Sequence, residues 1–311
     1  MVIMDILIAI IQGLIITLLA PLASGFARWM RARMHTRRGP SIMQDYYDIA
    51  KLFKRQDVHS ASSSFIHKLM PPLFVACMFL LGMGIPMITM YSPIPELGDI
   101  IFILYMMALP RFFFALSAID SGDAYAGIGG IRELIVGILV EPSLILALFV
   151  AAIATGSTSV GGMATSIAAG VVSSPLGVIV AGIAFAIACY VELGKLPFDV
   201  AEAEQELQEG PLQEYSGPSL AMAKVAMSMK QIVVLSWFFA IFLPFGAATD
   251  TTPVLLLIGL VAWAVKMIIG FAACCVVENV VSRVRFKFMG RKTWAIFAVS
   301  VVALILCAVG V

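Results

Sequence analysis

IRELIVGILVEPSLILALFVAAIA, residues 131–154, decides the fold: its apolar run is interrupted only by charges near one end and by Glu141-Pro142 in the middle. A helix rises about 1.5 Å per residue and a hydrocarbon core is about 30 Å thick, so about 20 such residues cross it. A strand of a membrane barrel would alternate in polarity, and this run does not. The stretch reads as a membrane-spanning helix.

Outward from it, comparable runs lie near 3–26, 70–90, 99–118, 175–194, 230–247, 254–278 and 293–310. The composition agrees: 61% of the chain is hydrophobic and 13% charged, against about 25% charged in soluble domains. The N-terminal run contains Asp5, has no Lys or Arg before it and is too long for a signal-peptide core, so it is expected to stay in the mature protein. The class expected is all-α: a polytopic membrane helix bundle of about eight transmembrane helices, one membrane domain over 1–311.

The bases are unevenly placed. Stretches 91–98, 155–174 and 248–253 hold no Lys or Arg, whereas 27–69 holds nine and 279–292 holds five. The positive-inside rule puts those two basic loops in the cytoplasm, together with 119–130 and 195–229. Both termini are then expected on the periplasmic side. The five cysteines fall inside spans with no C-x-x-C pair, and the three histidines (His35, His59, His67) fall in the first basic loop. No redox centre is expected in this chain, and the first four spans are not repeated in the last four, as an inverted-repeat transporter would require.

Two of these loops are dense in charge. Residues 28–57 carry eight bases against Asp45, Asp48 and Asp57, and Tyr46, Ile49, Ala50 and Phe53 recur at helical spacing, which predicts a short interfacial helix over 44–53. The other, ELGKLPFDVAEAEQELQEGPLQEYSG (192–217), sets seven acids against Lys195. A helix is expected between Pro197 and Gly210-Pro211, with Asp199, Glu202, Glu206 and Glu209 at i, i+3, i+7 and i+10 on one stripe. Like charges so placed repel by a few tenths of a kcal/mol each. The stripe should therefore be solvated or face cations, and the basic first loop is the obvious partner.

Arg111, Glu141 and Lys266 fall near midspan, with Glu133, Glu192 and Glu278 nearer the cytoplasmic ends. A central charge costs about 2.5–3.5 kcal/mol to insert, so such residues should face the bundle interior and pair. Two readings are open. Glu141 with Lys266, or Glu133 with Arg111, form ion pairs that only fix helix packing; or the carboxyls, their affinity for protons raised by desolvation, form a relay from the acidic loop through Glu192 toward Glu141. Glu192 and Glu278, close to an interface, can instead reach water.

The stretch PFDVAEAEQELQEGPLQEYSG (197–217) resembles the motif P-F-D-x-x-E-A-E-x-E-L-x-x-G-x-x-x-E-Y-S-G of the membrane protein called subunit 1 of respiratory complex I and of its relatives in the group 4 nickel-iron hydrogenases. The first loop adds RRGP at 37–40, Gln44, Asp48 and Lys51, and the resemblance runs over essentially the whole chain. Two departures stand out. ELGK (192–195) replaces the E-T-N-R-type end of the fifth span found in quinone-reducing members, so Lys195 stands where Arg is usual, and the insertion between Pro40 and Gln44 is short, where the first loop of those members helps build a quinone chamber. GPLQEYSG and RRGPSIMQDYYDIAKLFKRQ look like the formate hydrogenlyase and hydrogenase-4 branch.

That resemblance implies an anchor and coupling subunit in a bacterial inner membrane, itself without cofactor or metal. A nickel-iron centre and iron-sulfur clusters are expected in partners: the large and small hydrogenase subunits and iron-sulfur subunits of a cytoplasmic arm, beside antiporter-like membrane subunits and lipid. Nucleic acid is not expected as a partner. The coupling path is expected over Glu133, Glu141, Glu192, Asp199, Glu202, Glu204, Glu206 and Lys266. Docking of the arm falls to Arg33, Arg37, Arg38, Asp48, Lys51, Glu209, Glu214 and Tyr215. The rival readings are a quinone-chamber subunit of an NADH:quinone oxidoreductase and a free-standing ion antiporter.

Overall fold

The computed structural model describes residues 2–310, with the side chains of Val2, Glu204 and Gln205 outside the described residues. It is built from helices α1 (Val2–Met34), α2 (Gln44–Phe53), α3 (Phe65–Gly84), α4 (Ile100–Asp120), α5 (Ala124–Thr155), α6 (Val160–Ala168), α7 (Pro175–Glu192), α8 (Glu204–Leu207), α9 (Gly217–Phe242), α10 (Pro253–Val280) and α11 (Met289–Val309). Among the described residues, pairing of extended backbone is limited to two isolated bridges. Among the described residues, eight helical segments are long and apolar enough to cross a bilayer: α1, α3, α4, α5, α7, α9, α10 and the segment Phe286–Val309 that contains α11.

Their starts follow from local chemistry. Asp99 accepts a hydrogen bond from the Ile101 amide at 2.8 Å, and Asp123 one from Ala126 at 2.8 Å, each satisfying a first-turn N–H that has no partner within the helix. Pro175, Pro218 and Pro253 sit in the first turns of α7, α9 and α10, where a missing N–H is harmless. Pro71 inside α3 removes the donor that the His67 carbonyl would otherwise meet one turn later. The Tyr215 hydroxyl replaces it, donating to that carbonyl at 3.0 Å, and the Tyr215 ring stacks on His67 at 4.0 Å between centroids.

The connections gather at two ends. At one, the Met90 amide donates to Ala248 O and the Ile100 amide to Thr158 O, which brings together the three connections without a base. At the other, Val58 N donates to Ser216 Oγ, Ser64 N to Asp120 Oδ2, and Val284 N to Pro197 O, which brings together the loops that hold the bases. α5 packs against α4, α7 and α11, and α9 against α1 and α3, while α10 rests on α1 and α9.

Three expectations need correction. Residues 119–130 are not a loop: only 121–123 separate α4 from α5, because Asp123 caps a helix that Gly127, Gly129 and Gly130 do not interrupt. α9 begins at Gly217, well before the 230 at which the sixth span was placed. The helix over 197–210 is absent, and only the single turn α8 forms there. Val200, Ala201, Ala203 and Leu207 are buried. Without that helix the acids form no stripe: Asp199 turns to Arg283 and Glu206 to Arg132. α2 forms over the residues expected, and its inner side is Asp45, buried, and Ile49 rather than Ala50 and Phe53, which are exposed.

Candidate functional site: a buried cluster of paired charges

Arg111 lies nine residues from the end of α4, about 14 Å along the axis at 1.5 Å per residue. It is 7% exposed. Its Nη1 is 2.5 Å from Glu141 Oε1 and its Nε 3.9 Å from Glu133 Oε1, and its Nη2 bonds Glu192 Oε2. Glu133 and Glu141 flank Gly137 one turn away on either side, so all three share a face of α5. The guanidinium stem lies across that glycine: a Cβ there would meet Arg111 Cδ at 2.6 Å. Gly137 is the slot that lets one arginine reach two carboxylates a double turn apart.

Glu192 enters from the last residue of α7, the helix that stops short so that its end sits beside Arg111. Lys230, thirteen residues into α9, closes the group, with Nζ 3.0 Å from Glu192 Oε1 and 3.6 Å from Glu133 Oε1. Two cations thus hold three carboxylates, a formal net charge of −1. Glu192 is 6% exposed, and its ionised form is compatible with that burial only because both cations touch it.

A cavity of about 110 Å³ opens on this cluster, lined by Arg111, Glu133, Lys230, Gln231, Asp199 and Glu202 among others. A second, of about 300 Å³, runs under α2 between Arg28, Asp45, Asp48, Glu209 and Lys224. Glu202, Met227 and Gln231 line both, so the two meet there. Burial first, then the charges of Asp199 and Glu133, push the Glu202 carboxyl up to about 8, with Lys230 opposing.

A smaller group lies beside α10. Glu278 is buried between Arg31 Nε at 3.3 Å and Lys195 Nζ at 3.6 Å, and Lys195 stands over the Phe271 ring at 5.4 Å. Asp199 pairs with Arg283 at 2.7 Å, and Glu206 with Arg132 at 2.7 Å. The segment from Glu192 to Glu202 therefore carries side chains into both groups.

The coupling residues expected from sequence divide accordingly. Glu133, Glu141 and Glu192 come together, and Glu202 adjoins them. Asp199 and Glu206 are held by bases outside the cluster. The Glu204 side chain lies outside the described residues. Lys266 is not near Glu141: its Nζ bonds the Leu243 carbonyl at 2.6 Å, at the end of the bundle without bases, where a long stem reaches a polar partner. The pairing of Glu141 with Lys266 is corrected to Glu141 with Arg111. Of the docking residues, Arg33, Arg37, Arg38, Asp48, Lys51 and Glu209 are exposed at the basic end and Glu214 partly so. Tyr215 is buried, spent on the His67 carbonyl, with its hydroxyl held protonated by burial, and offers no docking surface. Glu278 and Glu192 do not reach water as an interfacial position allowed. Sequence reasoning passed over Lys230, which the Gly217-Pro218 helix start could have placed inside a span.

Among the described residues no group of three or more His, Cys, Asp and Glu is arranged to hold a metal ion.

Fold and site together define a multi-pass helical membrane protein whose span-length helices hold ion pairs between them. Residues 6–309 match the family described as NADH dehydrogenase, and the chain belongs to that family. It is similar to hydrogenase-4 component C of Escherichia coli (strain K12), 47% identical over 298 residues that cover 96% of this chain and 94% of the relative. Formate hydrogenlyase subunit 4 of the same organism is 42% identical over 302 residues, 97% of this chain and 98% of the relative. A chain in the structure of the membrane-bound sulfane sulfur reductase, an archaeal respiratory membrane complex, superposes with a TM-score of 0.83 at 24% identity over 97% of this chain and 99% of that one. That likeness concerns the fold.

Proposed function

We propose that this chain is the membrane anchor and coupling subunit of a multi-subunit hydrogenase of the formate hydrogenlyase or hydrogenase-4 kind, lying in a bacterial cytoplasmic membrane with both termini periplasmic. Redox chemistry belongs to partner subunits that carry nickel-iron and iron-sulfur centres. The exposed bases of the first loop, with Asp48, Glu209 and Glu214, receive the cytoplasmic arm. The close similarity to the two Escherichia coli proteins supports this branch, and the sidedness rests on the distribution of bases.

One observation carries the coupling role: Arg111 and Lys230 hold Glu133, Glu141 and Glu192 at a net charge of −1, at the end of two cavities that meet at Glu202. A proton that enters past Glu202 neutralises the excess charge, and its departure restores it. Intramembrane charges so arranged are characteristic of proton paths. Glu206, bound to Arg132 on the exposed rim, and Lys266, at the far end, are left out of the path.

Glu192→Gln is the test, because it keeps the shape and one hydrogen-bonding oxygen while removing a charge. The variant complex should assemble and evolve hydrogen in detergent, and should lose coupled proton movement in sealed vesicles. Unchanged coupling would refute the relay. The rival quinone reading has its own observation, an apolar cavity of about 360 Å³ between α1, α9 and α10 lined by Leu19, Phe26, Ile42, Trp263, Met267 and Phe271 among others. Quinone reduction by the purified complex would favour it.

A further inference from the structure

α10 rests on α1 and α9, whereas α11 packs on α5 and α7. The linker between them, residues 281–288, must therefore cross the basic end of the space between α7, α9 and α10. That space is a groove of about 540 Å³, lined by Ile187, Tyr190, Phe198, Phe238, Ala273 and Val277 among others, within the 300–1,000 Å³ common for sites that bury a small molecule. It lies along three spans, so its occupant meets it from the bilayer. The linker is tied over the mouth by the hydrogen bond from Val284 N to Pro197 O, 3.0 Å, and Pro197 and Val281 line the groove itself.

The linker over this mouth carries charge of one sign. Residues 279–292 hold five bases and no acid. Arg283 is taken by Asp199, while Arg285 and Lys287 are exposed on the linker. Basic pockets between spans on the cytoplasmic side suit anionic lipid headgroups, and an acyl chain is the apolar group that a bilayer supplies. We propose that the groove between α7, α9 and α10 holds an acyl chain of an anionic phospholipid whose phosphate sits against Arg285 and Lys287. The lipid packs on Leu193, Pro197 and Phe198, the segment that also carries Lys195 to Glu278 and Asp199 to Arg283. It therefore props the loop that joins the two charged groups. This goes beyond the coupling role and does not depend on it.

The test uses the intact complex, purified in detergent, washed, and extracted for quantitative lipid mass spectrometry. The wild type should retain phosphatidylglycerol or another anionic phospholipid at about one per chain. Ala273→Trp fills the groove from an exposed position on α10 and should lower that retention roughly tenfold. The double variant Arg285→Gln/Lys287→Gln should keep a lipid but exchange anionic for zwitterionic headgroups, with roughly a fivefold loss of anionic lipid per charge removed. Equal retention in wild type and Ala273→Trp overturns the proposal. So does a cryo-electron microscopy map of the wild-type complex with a quinone or a partner helix in the groove, a readout that stands even if a variant fails to assemble.

Discussion

Replacing Arg111 by methionine keeps much of its apolar stem and deletes the guanidinium that touches Glu133, Glu141 and Glu192. Lys230 still reaches Glu133 at 3.6 Å and Glu192 at 3.0 Å, so Glu141 is the carboxylate stripped of its cation. The local charge moves from −1 to −2. Deleting one partner of a buried ion pair costs about 3–5 kcal/mol, because the remaining charge is buried and uncompensated. The Glu141 side chain is 35% exposed and can recruit water, which places the expected loss near the lower end of that range. Adding Glu141→Gln to Arg111→Met removes the stranded charge, returns the total to −1 and should recover at least about 2 kcal/mol against the sum of the single losses. Thermal melting of the purified complex, followed by size exclusion, reads the difference: at about 2–4 °C per kcal/mol, the single variant should melt roughly 10 °C lower and the double should regain about half. An Arg111→Met protein that melts within about 2 °C of wild type, or a double variant no better than the single, refutes the idea that this guanidinium holds the carboxylates.

Gly137→Ala sets a methyl against Arg111 and should cost about 1–3 kcal/mol by overpacking, visible as a lower melting temperature without any change of charge. Glu202, with its folded-state carboxyl pushed up to about 8 from the ordinary 4.5, binds its proton more tightly folded than unfolded, so stability should fall as pH rises through 4.5 to 8 and level off above; Glu202→Gln should remove that part of the slope in melts taken across the window. Tyr215→Phe keeps the stack on His67 and loses the bond to the carbonyl orphaned by Pro71, a loss of about 1 kcal/mol that a denaturation or melting series would resolve. Lys266→Met should leave proton movement in vesicles at the wild-type rate, and a loss of coupling there would bring the far end of the bundle into the path.

The spans were legible because continuous apolarity over about 20 residues has few other meanings, and the sidedness expected of the loops followed from where the bases are missing. Of the partners of Arg111, Glu133 was anticipated as a pair, but Glu141 and Glu192 were not. Glu133, Glu141 and Glu192 stand 22, 30 and 81 residues away, and which of several intramembrane charges meet depends on helix packing that periodicity does not encode. The acidic segment misled for a definable reason. Its acids fit a helical period, but their cationic partners, Arg283 for Asp199 and Arg132 for Glu206, stand on different elements that the period does not reveal. Lys230 was missed because the sixth span was placed to begin at 230, which put this lysine at a membrane edge; taking Pro218 as the first turn of a helix puts it thirteen residues inside.

α7 has 18 residues whereas α5 has 32, and its last residue is Glu192. The aligned peptide dipoles of a helix place roughly −0.5 of an elementary charge at its carboxyl end, here within reach of Arg111 and Lys230. With both cations counted, the cluster is therefore more negative than the side chains alone make it, nearer −1.5 than −1. A truncated helix thus acts as a fixed electrode at bilayer depth: no titration erases its partial charge, and a cation arriving from the Glu202 side meets a standing attraction whatever the protonation of the glutamates around it.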